Sequence, residues 1–90
     1  MSSAEICMLW GCNMLALALN ERGIQCAICF PLGEAACVRI PGVELYEAVA
    51  VASDRYEVWS LGDPPSPVPL RVDLSIDETV AFLCAAEGRA

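Results

Sequence analysis

Between Gly23 and Gly62 apolar residues fall at every second position, and turn residues break the run at short intervals. Ile24, Cys26, Ile28 and Phe30 alternate with Gln25, Ala27 and Cys29, a strand pattern. Pro31-Leu32-Gly33-Glu34 supplies turn chemistry, with glycine at the position that needs a positive φ. Ala36, Val38 and Ile40 alternate with Cys37 and Arg39 in a second strand, and Pro41-Gly42 turns again. A third strand lies within Val43–Ala52, with Val49 and Val51 facing one side and Ala48, Ala50 and Ala52 the other. Its start, residues 43–47, stays open between strand and helix, because Glu, Leu and Ala tolerate helix. Ser53-Asp54-Arg55 is a tight turn. Tyr56–Leu61 returns as a strand, with Tyr56 and Val58 facing opposite to Glu57, Trp59 and Leu61. Links this short join antiparallel neighbours, since a parallel crossover takes about a dozen residues or more.

Helical patterns flank the sheet. Ser2 and Glu5 fit a capping box, and a helix is expected from about Ser3 to Arg22, with Gly23 as its stop. Ile6, Leu9, Trp10 and Leu17 form one apolar face. Met8, Met14, Leu15 and Leu19 fill the other side, so burial on more than one side is expected. Residues 62–69 hold Pro64, Pro65, Pro67 and Pro69, an extended surface loop. Leu70, Val72 and Leu74 suit a short edge strand. Ser75 and Glu78 repeat the capping box ahead of a helix from Ile76 to about Glu87, which buries Ile76, Val80, Leu83 and Cys84 and stops at Gly88. The expectation is a single α+β domain over residues 1–90: an antiparallel sheet of four to five strands between an N-terminal and a C-terminal helix, α-β-β-β-β-(β)-α.

Composition narrows the chemistry. All five bases are Arg (Arg22, Arg39, Arg55, Arg71, Arg89), with no Lys and no His, against twelve acids for a net charge of −7. Imidazole catalysis, His–metal ligation and Lys Schiff-base chemistry are therefore missing. Five scattered Arg do not coat a phosphate backbone, so no direct nucleic-acid binding is expected. Six cysteines (Cys7, Cys12, Cys26, Cys29, Cys37, Cys84) in 90 residues fall below the roughly 8–10% of disulfide scaffolds. They sit in apolar runs, which reads as reduced core thiols and a cytoplasmic protein. The segment before Ile6 has no positive charge, which argues against a signal peptide, and the following apolar run is too short to span a bilayer. No membrane association is expected.

Cys26-Ala27-Ile28-Cys29 is a CxxC, but on a strand its thiols point to opposite faces, away from a common metal or a helix N-terminus. The carboxylate pairs Glu44/Glu47 and Asp77/Glu78 lack an enclosing cleft, and the second pair is explained by the helix start. No catalytic, cofactor or metal residue is assigned, and no enzyme is expected. The alternative is a cysteine-based zinc or redox protein.

Acids gather in the middle of the chain: Glu44, Glu47, Asp54, Glu57 and Asp63, near Tyr46, Tyr56 and Trp59. Aromatic anchors ringed by charge suit a protein partner with a basic surface, such as a nucleic-acid-binding protein. Surplus apolar surface on the first helix, through Met8, Met14 and Leu15, suits a homodimer. In element order the chain resembles the double-stranded-RNA-binding domain. That family's last helix carries a basic patch, whereas the helix starting Ser75-Ile76-Asp77-Glu78 holds no base, so RNA binding does not carry over. In size, acidity and helix-flanked antiparallel sheet the profile is similar to phage-encoded inhibitors of bacterial defence, anti-CRISPR proteins among them, and in acidity to small secretion chaperones. That resemblance implies a small acidic non-enzymatic inhibitor or adaptor acting on a larger protein.

Overall fold

The computed structural model describes residues 3–30, 36–42, 45–52, 54–62 and 64–87. Helix α1 (Ser3–Glu21) leads into strands β1 (Ala27–Cys29), β2 (Cys37–Ile40), β3 (Tyr46–Ala52), β4 (Arg55–Ser60) and β5 (Arg71–Leu74), and helix α2 (Ile76–Ala86) ends the fold. The strands form one open sheet in the order β1-β2-β3-β4-β5, every pair antiparallel. This is the expected α+β arrangement, with the provisional fifth strand present. Ser2, the turn at residues 31–34, Val43, Glu44, Ser53, Asp63 and Gly88 lie outside the described residues, and with them the first capping box and the second helix stop. From Tyr46 onward the ambiguous start of the third strand is strand.

Local chemistry accounts for the element ends. Gly23 takes φ 77°. Its N–H donates to Asn20 O and that of Ile24 to Leu19 O, both at 3.0 Å. The two bonds form a Schellman motif, and the buried Leu19 and Ile24 supply its apolar contact. Ile24 is thus spent on closing α1, so β1 begins later than the alternation suggests. At α2 the full capping box forms: Glu78 N–H donates to Ser75 Oγ at 3.2 Å, and Ser75 N–H to Glu78 Oε1 at 3.0 Å.

Both helices cover the same sheet face, α1 over β1–β3 and α2 over β4–β5. The core between the layers joins Cys12, Leu15 and Leu19 of α1 and Val80, Leu83 and Cys84 of α2 to Val38, Ile40, Ala48, Ala50, Tyr56 and Val58 of the sheet. Tyr56 is fully buried, and its hydroxyl donates to Gly11 O at 2.7 Å, tying β4 to the middle of α1.

The buried face of α1 is not the one its largest residues mark. Ile6, Trp10 and Leu17, on one of the two apolar faces whose burial is expected, are 55%, 64% and 61% exposed. The inward stripe is Met8, Gly11, Cys12, Leu15 and Leu19, which also has helical spacing. Leu15 therefore serves the monomer core, and Met8 packs against it, so neither is on the outer side expected to dimerise; Met14 is. The reason is steric: Gly11 and Cys12 let the helix axis approach the sheet, where Trp10 would hold it off.

Two bulges shape the sheet. Ala50 pairs Tyr56 while Ala52 pairs Arg55, so β3 gains a residue at Val51, which turns outward. Tyr56 pairs Leu74 while Val58 pairs Arg71, so β5 gains one also. There Asp73 has φ 54°, a conformation Asp tolerates better than most, and ion-pairs Arg55 at 3.4 Å. A three-residue β1 and a bulged β5 blunt both sheet edges.

Candidate functional site

Strand alternation puts a second row set on the sheet face that neither helix covers. One row runs Ala27, Arg39, Glu47, Trp59 across β1 to β4, and the next runs Cys29, Cys37, Val49, Glu57. Within the first row Arg39 Nε lies 3.4 Å from Glu47 Oε2, with the Glu47 side chain only 15% exposed. Between rows, Trp59 Nε1 donates to Glu57 Oε2 at 3.4 Å. The result is a half-buried indole flanked by two carboxylates and Val49, with the exposed Val51 at the bulge beyond.

Of the residues expected to bind a partner, Glu47, Glu57 and Trp59 come together here. Tyr46 faces the helix layer instead, its ring edge-on to Phe82 at 6.1 Å between centroids. Tyr56 is core and has no surface to offer. Its opposite parity to Glu57 already separates it from the outer face, and nearness in sequence hid that. Asp54 sits exposed in the β3–β4 turn, and Glu44 and Asp63 lie outside the described residues. Arg39 is the residue sequence reasoning missed: it neutralises part of the acidic cluster. Only the β2–β3 register, set by the turn between those strands, reveals it.

Two thiols belong to this face. Cys29 and Cys37 are cross-strand partners, but burial is the main force pushing the Cys37 thiol up to about 11, with Glu47 adding to it. It is therefore a protonated thiol at neutral pH and a poor nucleophile. The CxxC thiols diverge as expected. Cys26 Sγ points toward α1, 3.8 Å from Ala16 O and 3.7 Å from Asn20 Oδ1, while Cys29 belongs to the outer face. All six cysteines are free thiols. Among the described residues no group of three or more Cys, Asp or Glu gathers as a metal site. A hollow lined by Gly23, Ile24, Gln25, Pro41 and Glu87 holds about 200 Å³, below the roughly 300–1,000 Å³ of small-molecule sites. Among the described residues no helix is long and apolar enough to cross a membrane.

A second surface lies on the opposite side of the molecule. Ile6, Trp10, Met14 and Leu17 recur at helical spacing along the outer side of α1, with Met14 44% exposed. No family model, curated protein or solved structure matches the chain.

Proposed function

We propose that this chain is a small acidic, non-enzymatic protein-binding module, an inhibitor or adaptor whose open sheet face engages a basic surface on a larger protein. The observation that carries the reading is the grouping of Glu47, Glu57 and Trp59 on the face no helix covers. Trp59 offers a flat, rigid anchor with one polar handle, already oriented by Glu57, and Val49 and Val51 extend the apolar contact. The two carboxylates steer a basic partner. Arg39 limits the local excess of negative charge, so the partner needs a pocket for the indole as well as positive charge.

The test is affinity capture from a host lysate with three baits: wild type, Glu47→Lys/Glu57→Lys, and Glu21→Lys/Asp77→Lys as a control of equal charge change. A specific partner is retained by wild type and control, and weakened about tenfold or more by reversal on the sheet face. Trp59→Ala raises its dissociation rate, while added salt mainly slows association. Capture that is indifferent to the sheet-face reversal overturns the reading.

A further inference from the structure

We infer that the outer stripe of α1 is a self-association surface, occupied by α1 of a second copy in antiparallel order. The stripe does not belong to the core or to the sheet face. Ile6, Trp10, Met14 and Leu17 are 55%, 64%, 44% and 61% exposed, and span about 16 Å of helix at 1.5 Å per residue. At these exposures the four side chains present roughly 500 Å², at the upper end of what a monomer normally leaves in one patch. Across two copies these residues offer at most about 1,000 Å² for burial, the lower bound of a specific interface.

Charge selects a second copy as the occupant. A two-fold interface sets a surface against itself, so any charge near the axis meets its like. Two chains of net charge −7 need a face free of charge to approach. From Ile6 to Asn20 the sequence holds no acid and no base. The sheet face, with Glu47 and Glu57, does not meet that condition. Antiparallel order also matches the residues by size. With the axis midway along the stripe, Ile6 lies against Leu17 of the second copy and Trp10 against Met14, an indole–thioether contact. The charges beyond the stripe are Glu5 at one end and, at the other, Glu21 and Arg22, adjacent in sequence and opposite in sign. The helix macrodipoles oppose.

Sedimentation equilibrium tests this at about 50 μM, a concentration suited to micromolar affinity. Wild type is expected at twice the 9.6 kDa chain mass. In a Trp59→Phe background, Trp10 emission shifts to the blue as concentration rises. Trp10→Glu and Leu17→Glu each return the chain to its monomer mass with unchanged circular dichroism, and Trp10→Ala weakens association about tenfold or more. Glu47→Lys/Glu57→Lys stays dimeric, which separates this outcome from failure of the sheet-face reading. A wild-type monomer at that concentration overturns the inference, as does a dimer that survives Trp10→Glu. The same holds if concentration leaves Trp10 emission unchanged.

Discussion

Helices α1 and α2 lie side by side on one sheet face, yet of the two only α1 leaves large apolar side chains exposed. The outward positions of α2 include Asp77, Glu78, Ala81 and Ala85, and its inward ones are Thr79, Val80, Leu83 and Cys84. One stripe of α2 can be buried, and that stripe is buried. Helix α1 has two apolar stripes at helical spacing, and periodicity alone does not choose between them. Side-chain size does: the stripe with Gly11 and Cys12 goes inward, and the stripe with Ile6, Trp10 and Leu17 is left out. Helix α2 thus turns its one apolar stripe to the core, while α1 turns one apolar stripe to the core and leaves a second exposed.

The largest of three effects that sharpen this contrast falls on α1. Tyr56→Phe deletes only the hydroxyl that reaches Gly11 O, so the link between β4 and α1 is lost without a change of packing. The unfolding free energy falls by about 1–2 kcal/mol in urea titration. An unchanged midpoint would mean that α1 is held by its apolar stripe alone.

Next comes α2, whose start depends on its cap. Ser75→Ala removes the acceptor for Glu78 N–H and costs about 1 kcal/mol, read as a lower melting temperature. The Glu78 carboxyl is held below the usual range, first by the Ser75 backbone N–H and then by its side chain. Its contribution is complete above the ordinary value of 4.5 and is lost as pH falls through the lower folded value. An acid melting series shows this loss, and deleting the Glu78 side chain (Glu78→Ala) flattens it.

The smallest effect is absent at neutral pH. Burial raises Cys12, Cys26 and Tyr56, and raises Cys37 from 9.0 to about 11. The folded protein binds these protons more tightly than the unfolded chain. Stability is therefore intact below pH 9.0 and falls as pH rises toward about 11. Melting temperature followed across that window declines less steeply in Cys37→Ala. Equal declines would place the alkaline sensitivity elsewhere.

Much of the sheet was legible in sequence because its cues are local. Alternation set Ala48 and Ala50 on one face and Val49 and Val51 on the other, and Ser75 with Glu78 marked the start of α2. Gly23 marked the end of α1 through its positive φ. What local cues do not contain is register and choice of face. The bulges at Val51 and Asp73, and the pairing of Arg39 with Glu47, depend on how many residues each turn consumes. The candidate site was half legible for the same reason. Glu47, Glu57 and Trp59 share one strand parity, while Tyr46 and Tyr56 have the other and turn to the helices.

Leu15 and Leu17 offer the most direct measurement of the two-faced helix. They stand two residues apart in α1, so truncation to Ala changes helix propensity equally and isolates burial. Leu15 is fully buried and Leu17 is 61% exposed. Denaturant unfolding at concentrations low enough to keep the chain monomeric should show Leu15→Ala losing about 2–5 kcal/mol. Leu17→Ala should stay within about 0.5 kcal/mol of wild type. Equal losses, or a larger loss at Leu17, would contradict the assignment of the inner stripe, and not the outer one, to the folded core.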